Sequence, residues 1–211
     1  MNLYKYKILQ SSPIFTTRDF SLQTGISSSS AARLLARIAD EKEVIRMTRG
    51  LWTFAKENEV HPFSLTPYLL GNEHGYISLL TALHIHGILS QIPTRTQVVT
   101  TAHSRVVKTK LGVFEFFQMK PEMMLDGVVW SDTKLPFRMA TPEKALLDVL
   151  YLSTRKGKRF SSLPELDLKE SGFKKKVFLK LLNNQKFPVP IHRATLERFE
   201  AVCEKEEFLI G

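Results

Sequence analysis

Arg33 and Arg37 stand four residues apart in the stretch SSSAARLLARIAD. If that stretch is helical, 100° per residue puts them on one face with Ser29 and Asp40, opposite Ala31, Leu34, Leu35 and Ile38. Two guanidinium groups so placed repel by roughly a few tenths of a kcal/mol in isolation. A phosphate backbone or the edge of a guanine would relieve the repulsion. Ser28 and Ser29, at the start of the same stretch, are short enough to let a helix approach a groove, and can bond phosphate through hydroxyl or backbone N–H. Arg46, Thr48 and Arg49 follow, beside Gly50, and can reach adjacent phosphates or a minor groove. The bland alternative is a solvated helix face in which Arg37 pairs with Asp40 or Glu41.

Residues for catalysis are harder to assemble. His84 and His86 are two apart, so on a helix they diverge by about 200°. A zinc-binding pair of this kind needs a spacing of four, and one packed and one exposed histidine is the expectation. His61, His74, His103 and His192 are scattered. Pro121-Glu122, followed by Asp132-Thr133-Lys134, weakly mimics a nuclease pattern, but acid-x-Lys is common by chance and here falls in a predicted hairpin turn. No phosphate-binding, dinucleotide-binding or nucleophile-elbow motif is present. The expectation is a protein that is not an enzyme and has no cofactor and no metal.

The elements that would position the arginines can be read in order. Residues 1–10 read as a helix with Leu3, Tyr4, Ile8 and Leu9 on its apolar stripe. Ile14 and Phe15 suggest a short β-segment. Thr16 or Thr17 caps a helix to about Thr24 with Phe20 and Leu22 inward, and Gly25 permits a tight turn. Ser27 caps a helix at about 28–41. Val44–Met47 and Leu51–Phe54 read as strands around Thr48-Arg49-Gly50, with Trp52 packing back onto the helices. Helices, a turn and a β-hairpin in this order are the layout of a winged helix-turn-helix, predicted over residues 1–56.

Residues 56–66 read as a linker around Pro62. The region 66–211 is predicted as an α+β domain with a small sheet and several helices. A helix is expected at about 78–89, capped by Ser78. Strands are expected at Gln97–Thr101, Ser104–Lys108 and Val113–Met119, and a hairpin from Val128–Trp130 and Phe137–Ala140. Thr141-Pro142-Glu143 is a helix start by cap, proline and acid. The helix it opens, about 142–154, is apolar on most faces and so buried. Two more helices are expected at about 173–186 and 190–209. The first of these carries Lys174, Lys175, Lys176 and Lys180, either a second nucleic-acid surface or a solvated lysine face over Val177, Phe178, Leu181 and Leu182. Arg155, Lys156, Lys158 and Arg159 form a basic loop with the same two readings.

Composition narrows the class. The net charge of +9 favours polyanionic partners and lies in blocks. Residues 1–55 carry 8 basic and 4 acidic side chains, and residues 153–198 carry 12 and 4. Cys203 is the one cysteine, which excludes a disulfide framework and a cysteine-based zinc site. No apolar run approaches the ~18 residues of a membrane span, and the N-terminus lacks the apolar segment of a signal peptide. The expectation is a cytoplasmic protein with no membrane partner.

Three segments, MTRGLWTF, ISLLTALHIHGI and RMATPEKALLDVLYL, together resemble the AbiEi family of antitoxins in order and spacing. Trp52 stands where that family more often has tyrosine. The resemblance implies a bacterial winged-helix DNA reader that represses its own operon as the antitoxin of a type IV toxin-antitoxin system. It implies a nucleotidyltransferase-like toxin as functional partner, without direct contact being required. The residues for toxin neutralisation would lie in the second region, and none maps to a single position here.

Two functional readings follow. In one, helix 28–41 enters the major groove of double-stranded DNA at the protein's own promoter, with the hairpin on the backbone beside it. In the other, the winged helix is a scaffold and the chain is an interaction module for protein or RNA. The final helix can pair through Leu196, Phe199 and Val202 or pack on its own domain. A monomer or weak dimer, binding repeats cooperatively, is expected.

Overall fold

Thr16 rather than Thr17 starts the first described helix. Its Oγ1 accepts from the Asp19 backbone N–H at 3.1 Å, while the Asp19 carboxylate accepts from the Thr16 N–H at 2.8 Å. This reciprocal cap satisfies two backbone donors at once. The computed structural model describes residues 12–55, 60–155, 160, 162–169 and 172–208, with side chains to residue 205. The helix read over residues 1–10 and the basic residues Lys156, Lys158 and Arg159 lie outside the described residues.

Helix α1, Thr17–Thr24, closes at Gly25, whose φ of +69° is left-handed. Phe20 is buried, but Leu22, expected inward, is 73% exposed. Two residues on a helix are 200° apart, so burying Phe20 turns Leu22 out. Helix α2, Ser28–Asp40, starts at Ser27, whose Oγ accepts from Ser30 N–H at 3.2 Å. Strands β1 (Ile14–Thr16), β2 (Val44–Thr48) and β3 (Leu51–Phe54) form an antiparallel sheet in the order β1-β3-β2.

Strand alternation divides this sheet between two cores. Phe15, Val44, Trp52 and Phe54 pack with Phe20, Ala31, Leu35 and Ile38 of the helices. Ile14, Met47 and Leu51 instead join the larger core of the rest of the chain, with Ile45 against it. The Lys110 N–H also donates to the Met47 carbonyl at 2.9 Å. The hairpin is therefore covered on both faces.

The chain is mixed α+β, with seven α-helices and two sheets among the described residues. The second sheet is larger than the sequence suggested. It has six strands, β4 (Gly75–Ile77), β5 (Thr96–Thr100), β6 (Arg105–Thr109), β7 (Gly112–Gln118), β8 (Val128–Trp130) and β9 (Arg138–Ala140), in the order β6-β7-β5-β4-β9-β8. The unforeseen β4 lies at its centre, antiparallel to β5 and parallel to β9. Three wholly buried residues show no alternation to read. Gly75 is required there, since a Cβ would lie 2.6 Å from the Leu70 side chain and 2.7 Å from the Val99 carbonyl oxygen.

The linker region includes a 3-10 turn, Pro62–Leu65, leading into helix α3, Thr66–Leu70. Helix α4 spans Leu79–Ile85 and is shorter than expected, because Gly87 takes a φ of +76° just beyond it. Ser78 precedes it without capping it. The Gln97 side chain instead accepts from the Leu80 N–H at 2.9 Å, which leaves the Ser78 hydroxyl free for the core. Helix α5, Pro142–Thr154, is buried along nearly its whole length and packs against α4, α6 (Lys175–Asn184) and α7 (Val189–Phe208). Of the two fates for the last helix, packing on its own domain is observed. Phe199 is buried and stacked on Phe178, with ring centroids 4.0 Å apart.

Within this core lies an ion pair, Lys144 with Asp148, both side chains fully buried. The Lys144 ammonium also donates to the Met123 carbonyl at 2.7 Å. The second Asp148 oxygen accepts from the Ser78 hydroxyl at 2.7 Å and from the Tyr76 hydroxyl at 3.0 Å. Burial pushes the Asp148 carboxyl above its ordinary range, against the opposing pull of Lys144 and these hydrogen bonds. Burial likewise holds the Tyr76 phenol well above its usual value, with the Asp148 charge adding to the effect.

Candidate nucleic-acid interface

Trp52 anchors the candidate site. Its Nε1 donates to Thr17 Oγ1 at 2.9 Å, and the Thr17 N–H donates to the Gly50 carbonyl at 2.9 Å. These two bonds tie the start of α1 to the β2–β3 hairpin turn. The Gly50 φ of +78° lets the turn close where a residue with a Cβ would be strained. The expectation that Trp52 packs onto the helices holds, since it is buried in their core.

A concavity of about 310 Å³ opens between α2 and the hairpin, with Ala32 and Ala36 on one wall and Arg46, Arg49 and Trp52 on the other. The Arg46 guanidinium lies 5.8 Å from the Trp52 ring centre, a cation–π distance. Its Nε donates to the Thr48 carbonyl at 3.4 Å. One extra residue in β2 between Arg46 and Thr48 bends the strand end. Thr48 is half-buried, whereas Arg46 and Arg49 are exposed. The fold thus brings two cations together beside a shallow helix wall.

Arg33 and Arg37 are exposed on α2. Among the described residues neither makes an ion pair, and Arg37 does not take up Asp40 or Glu41. Ser28 and Ser29 are exposed at the helix start, where the Ser29 hydroxyl is 3.0 Å from that of Ser27. Ala32 and Ala36 were not singled out from the sequence. The signal was available, because small residues four apart on the flank of an arginine stripe lower the helix surface where a groove would approach.

Lys174, Lys175, Lys176 and Lys180 are all exposed at or on α6, in the second part of the chain. Phe178, Leu181 and Leu182 are buried beneath them, but Val177 is exposed. Cations in a first turn oppose the helix dipole. The buried Glu143 compensates by accepting from the Lys174 N–H at 3.0 Å.

The histidines on and beside α4 are both half-buried, not one packed and one exposed. His84 Nδ1 lies 2.9 Å from the Leu89 carbonyl and His86 Nε2 lies 2.8 Å from the Ala140 carbonyl. Each ring is held by the backbone, so diverging directions do not leave either free. Glu122, Asp132 and Lys134 are exposed. Among the described residues no three His, Cys, Asp or Glu side chains are grouped to hold a metal ion. No described helix is long and apolar enough to cross a membrane. No protein-family model matches the chain, and no curated protein matches it.

Proposed function

We propose that the N-terminal unit is a winged helix-turn-helix and that the chain is a sequence-specific DNA-binding autorepressor. In this reading α2 lies in the major groove, presenting Ser29, Arg33 and Arg37. Ala32 and Ala36 allow close approach and can meet a thymine methyl. Arg46 and Arg49 on the hairpin grip the adjacent phosphates. The observation that carries the reading is the concavity between α2 and the hairpin, with two exposed arginines on its hairpin wall and small residues on its helix wall. The resemblance in sequence extends the proposal to an antitoxin role in the bacterial cytoplasm, opposite a nucleotidyltransferase-like toxin that it need not touch.

The test is fluorescence anisotropy with ~200 bp from upstream of the protein's own gene, against scrambled DNA, at two salt concentrations. Specific binding is expected to be at least ~10³-fold tighter than non-specific binding. Arg33→Ala and Arg37→Ala should each weaken it by ~1–3 kcal/mol, with lost preference at one base pair. Equal affinity for both DNAs, or both variants binding like wild type, would overturn the assignment.

A further inference from the structure

A second cavity, of about 230 Å³, lies between α3 and the β8–β9 edge of the large sheet. Its most unusual wall is Trp130, 64% exposed on a three-residue edge strand. Most large aromatic side chains are buried, so an indole left in water beside a cavity asks for a partner. Arg138 stands directly opposite Trp130 in the β8–β9 register. Cross-strand partners rise from the same face, with Cβ atoms about 4.5–5.5 Å apart. Arg138 is half-buried and forms no ion pair among the described residues.

The rest of the lining completes the pattern. Pro67 and Leu70 supply an apolar floor. Glu73, the one carboxylate in the wall, is exposed to solvent and accepts from Thr101 Oγ1 at 3.0 Å. Thr66, also in the wall, is buried with a hydroxyl that has no hydrogen-bond partner. An exposed ring face takes a flat aromatic group, and a half-desolvated guanidinium takes a planar carboxylate through paired N–H donors. The volume falls short of the roughly 300–1,000 Å³ of pockets for drug-sized ligands, which selects a single ring over a nucleotide.

We propose that this cavity binds a small aromatic carboxylate, with its ring on Trp130 and its carboxylate on Arg138. The ligand sits against α3, whose Tyr68 hydroxyl is 2.8 Å from the Ser12 hydroxyl next to β1. The site thus adjoins the strut between the small sheet and the large one. It does not depend on the DNA-binding reading.

Isothermal titration of the full chain with 4-hydroxybenzoate, 4-hydroxybenzamide and AMP tests it. The expected result is saturable binding of the benzoate to one site per chain. The uncharged amide, which keeps the ring and loses the charge, should bind weaker by roughly tenfold or more. Arg138→Gln and Trp130→Ala should each weaken the benzoate by a similar factor, whereas Trp130→Phe keeps most of the affinity. Circular dichroism should show all three variants folded, since neither side chain is in the core, and the amide comparison on wild type stands without them. Absence of saturable binding, equal affinity for acid and amide, unchanged binding in both variants, or tighter binding of AMP would each overturn the proposal.

Discussion

Removing one partner of the Lys144–Asp148 pair should be among the most damaging single changes in this chain. Both side chains are fully buried, and each makes further hydrogen bonds that fix it in place. In Asp148→Asn the Lys144 ammonium keeps the Met123 carbonyl and loses its carboxylate partner. The new amide NH2 also faces hydroxyls that now donate toward the same atoms. Uncompensated buried charges of this kind cost about 3–5 kcal/mol. Urea unfolding at neutral pH, followed by circular dichroism, should show that loss in Asp148→Asn and in Lys144→Met. The two should differ in their pH dependence. In Lys144→Met the carboxyl, already raised by burial, loses the ammonium that opposed the rise. A carboxyl whose folded pKa exceeds its unfolded one binds its proton more tightly when folded. Its contribution is therefore most favourable below the unfolded pKa and is lost as pH rises through the folded value. The deficit of Lys144→Met relative to wild type should shrink as the pH is lowered towards the ordinary carboxyl range. A loss below about 1 kcal/mol in both variants, or a deficit in Lys144→Met that does not change with pH, would refute this account of a buried, mutually paired network.

The hairpin arginines should behave differently from those on α2. Arg46→Ala and Arg49→Ala should each weaken DNA binding evenly across sequences and lower the salt slope by about 1, as read by anisotropy over a salt titration. A loss confined to one sequence would show that they read bases instead. Gly50→Ala meets no atom within 4 Å, so its penalty is the left-handed backbone alone, on the order of 1–3 kcal/mol. Gly127→Ala shares a left-handed φ, +74°, and in addition places a methyl 2.7 Å from the Lys144 Cβ. Its melting temperature should fall further than that of Gly50→Ala, and equal melting temperatures would show that the α5 contact yields without cost.

The sequence was most legible where a local chemical signal coincides with periodicity. Ser27, Gly25 and Thr141-Pro142 each marked a helix boundary that the structure keeps, because caps and turns are decided by a few neighbouring atoms. Ser78 carried the same kind of signal and did not act on it. The Asp148 oxygen is seventy residues away in sequence, and the Gln97 amide that relieves Ser78 of capping is almost as invisible locally. Strand β4 was missed for a related reason, since a central strand three residues long has no polar face to alternate with. The exposed arginines of the candidate interface were legible from spacing, but the concavity beside them was not. It depends on Trp52 and Thr17 meeting across thirty-five residues.

The small sheet has a consequence for any ligand held between α2 and the hairpin. A β-hairpin standing free in water is marginal on its own and moves with its turn. Here the alternation of β2 and β3 sends Trp52 and Phe54 into the helical core and Met47 and Leu51 into the core of the large sheet. The Lys110 N–H fastens the Met47 carbonyl from the second side, and Thr17 fastens Gly50 from the first. Arg46 and Arg49 therefore sit on a hairpin that cannot tilt without opening one core or the other. That makes their positions relative to α2 depend on the rest of the chain as well as on the first fifty-odd residues. Met47→Ala, which removes a side chain from the core of the large sheet and none from the concavity, should therefore weaken DNA binding in the anisotropy assay.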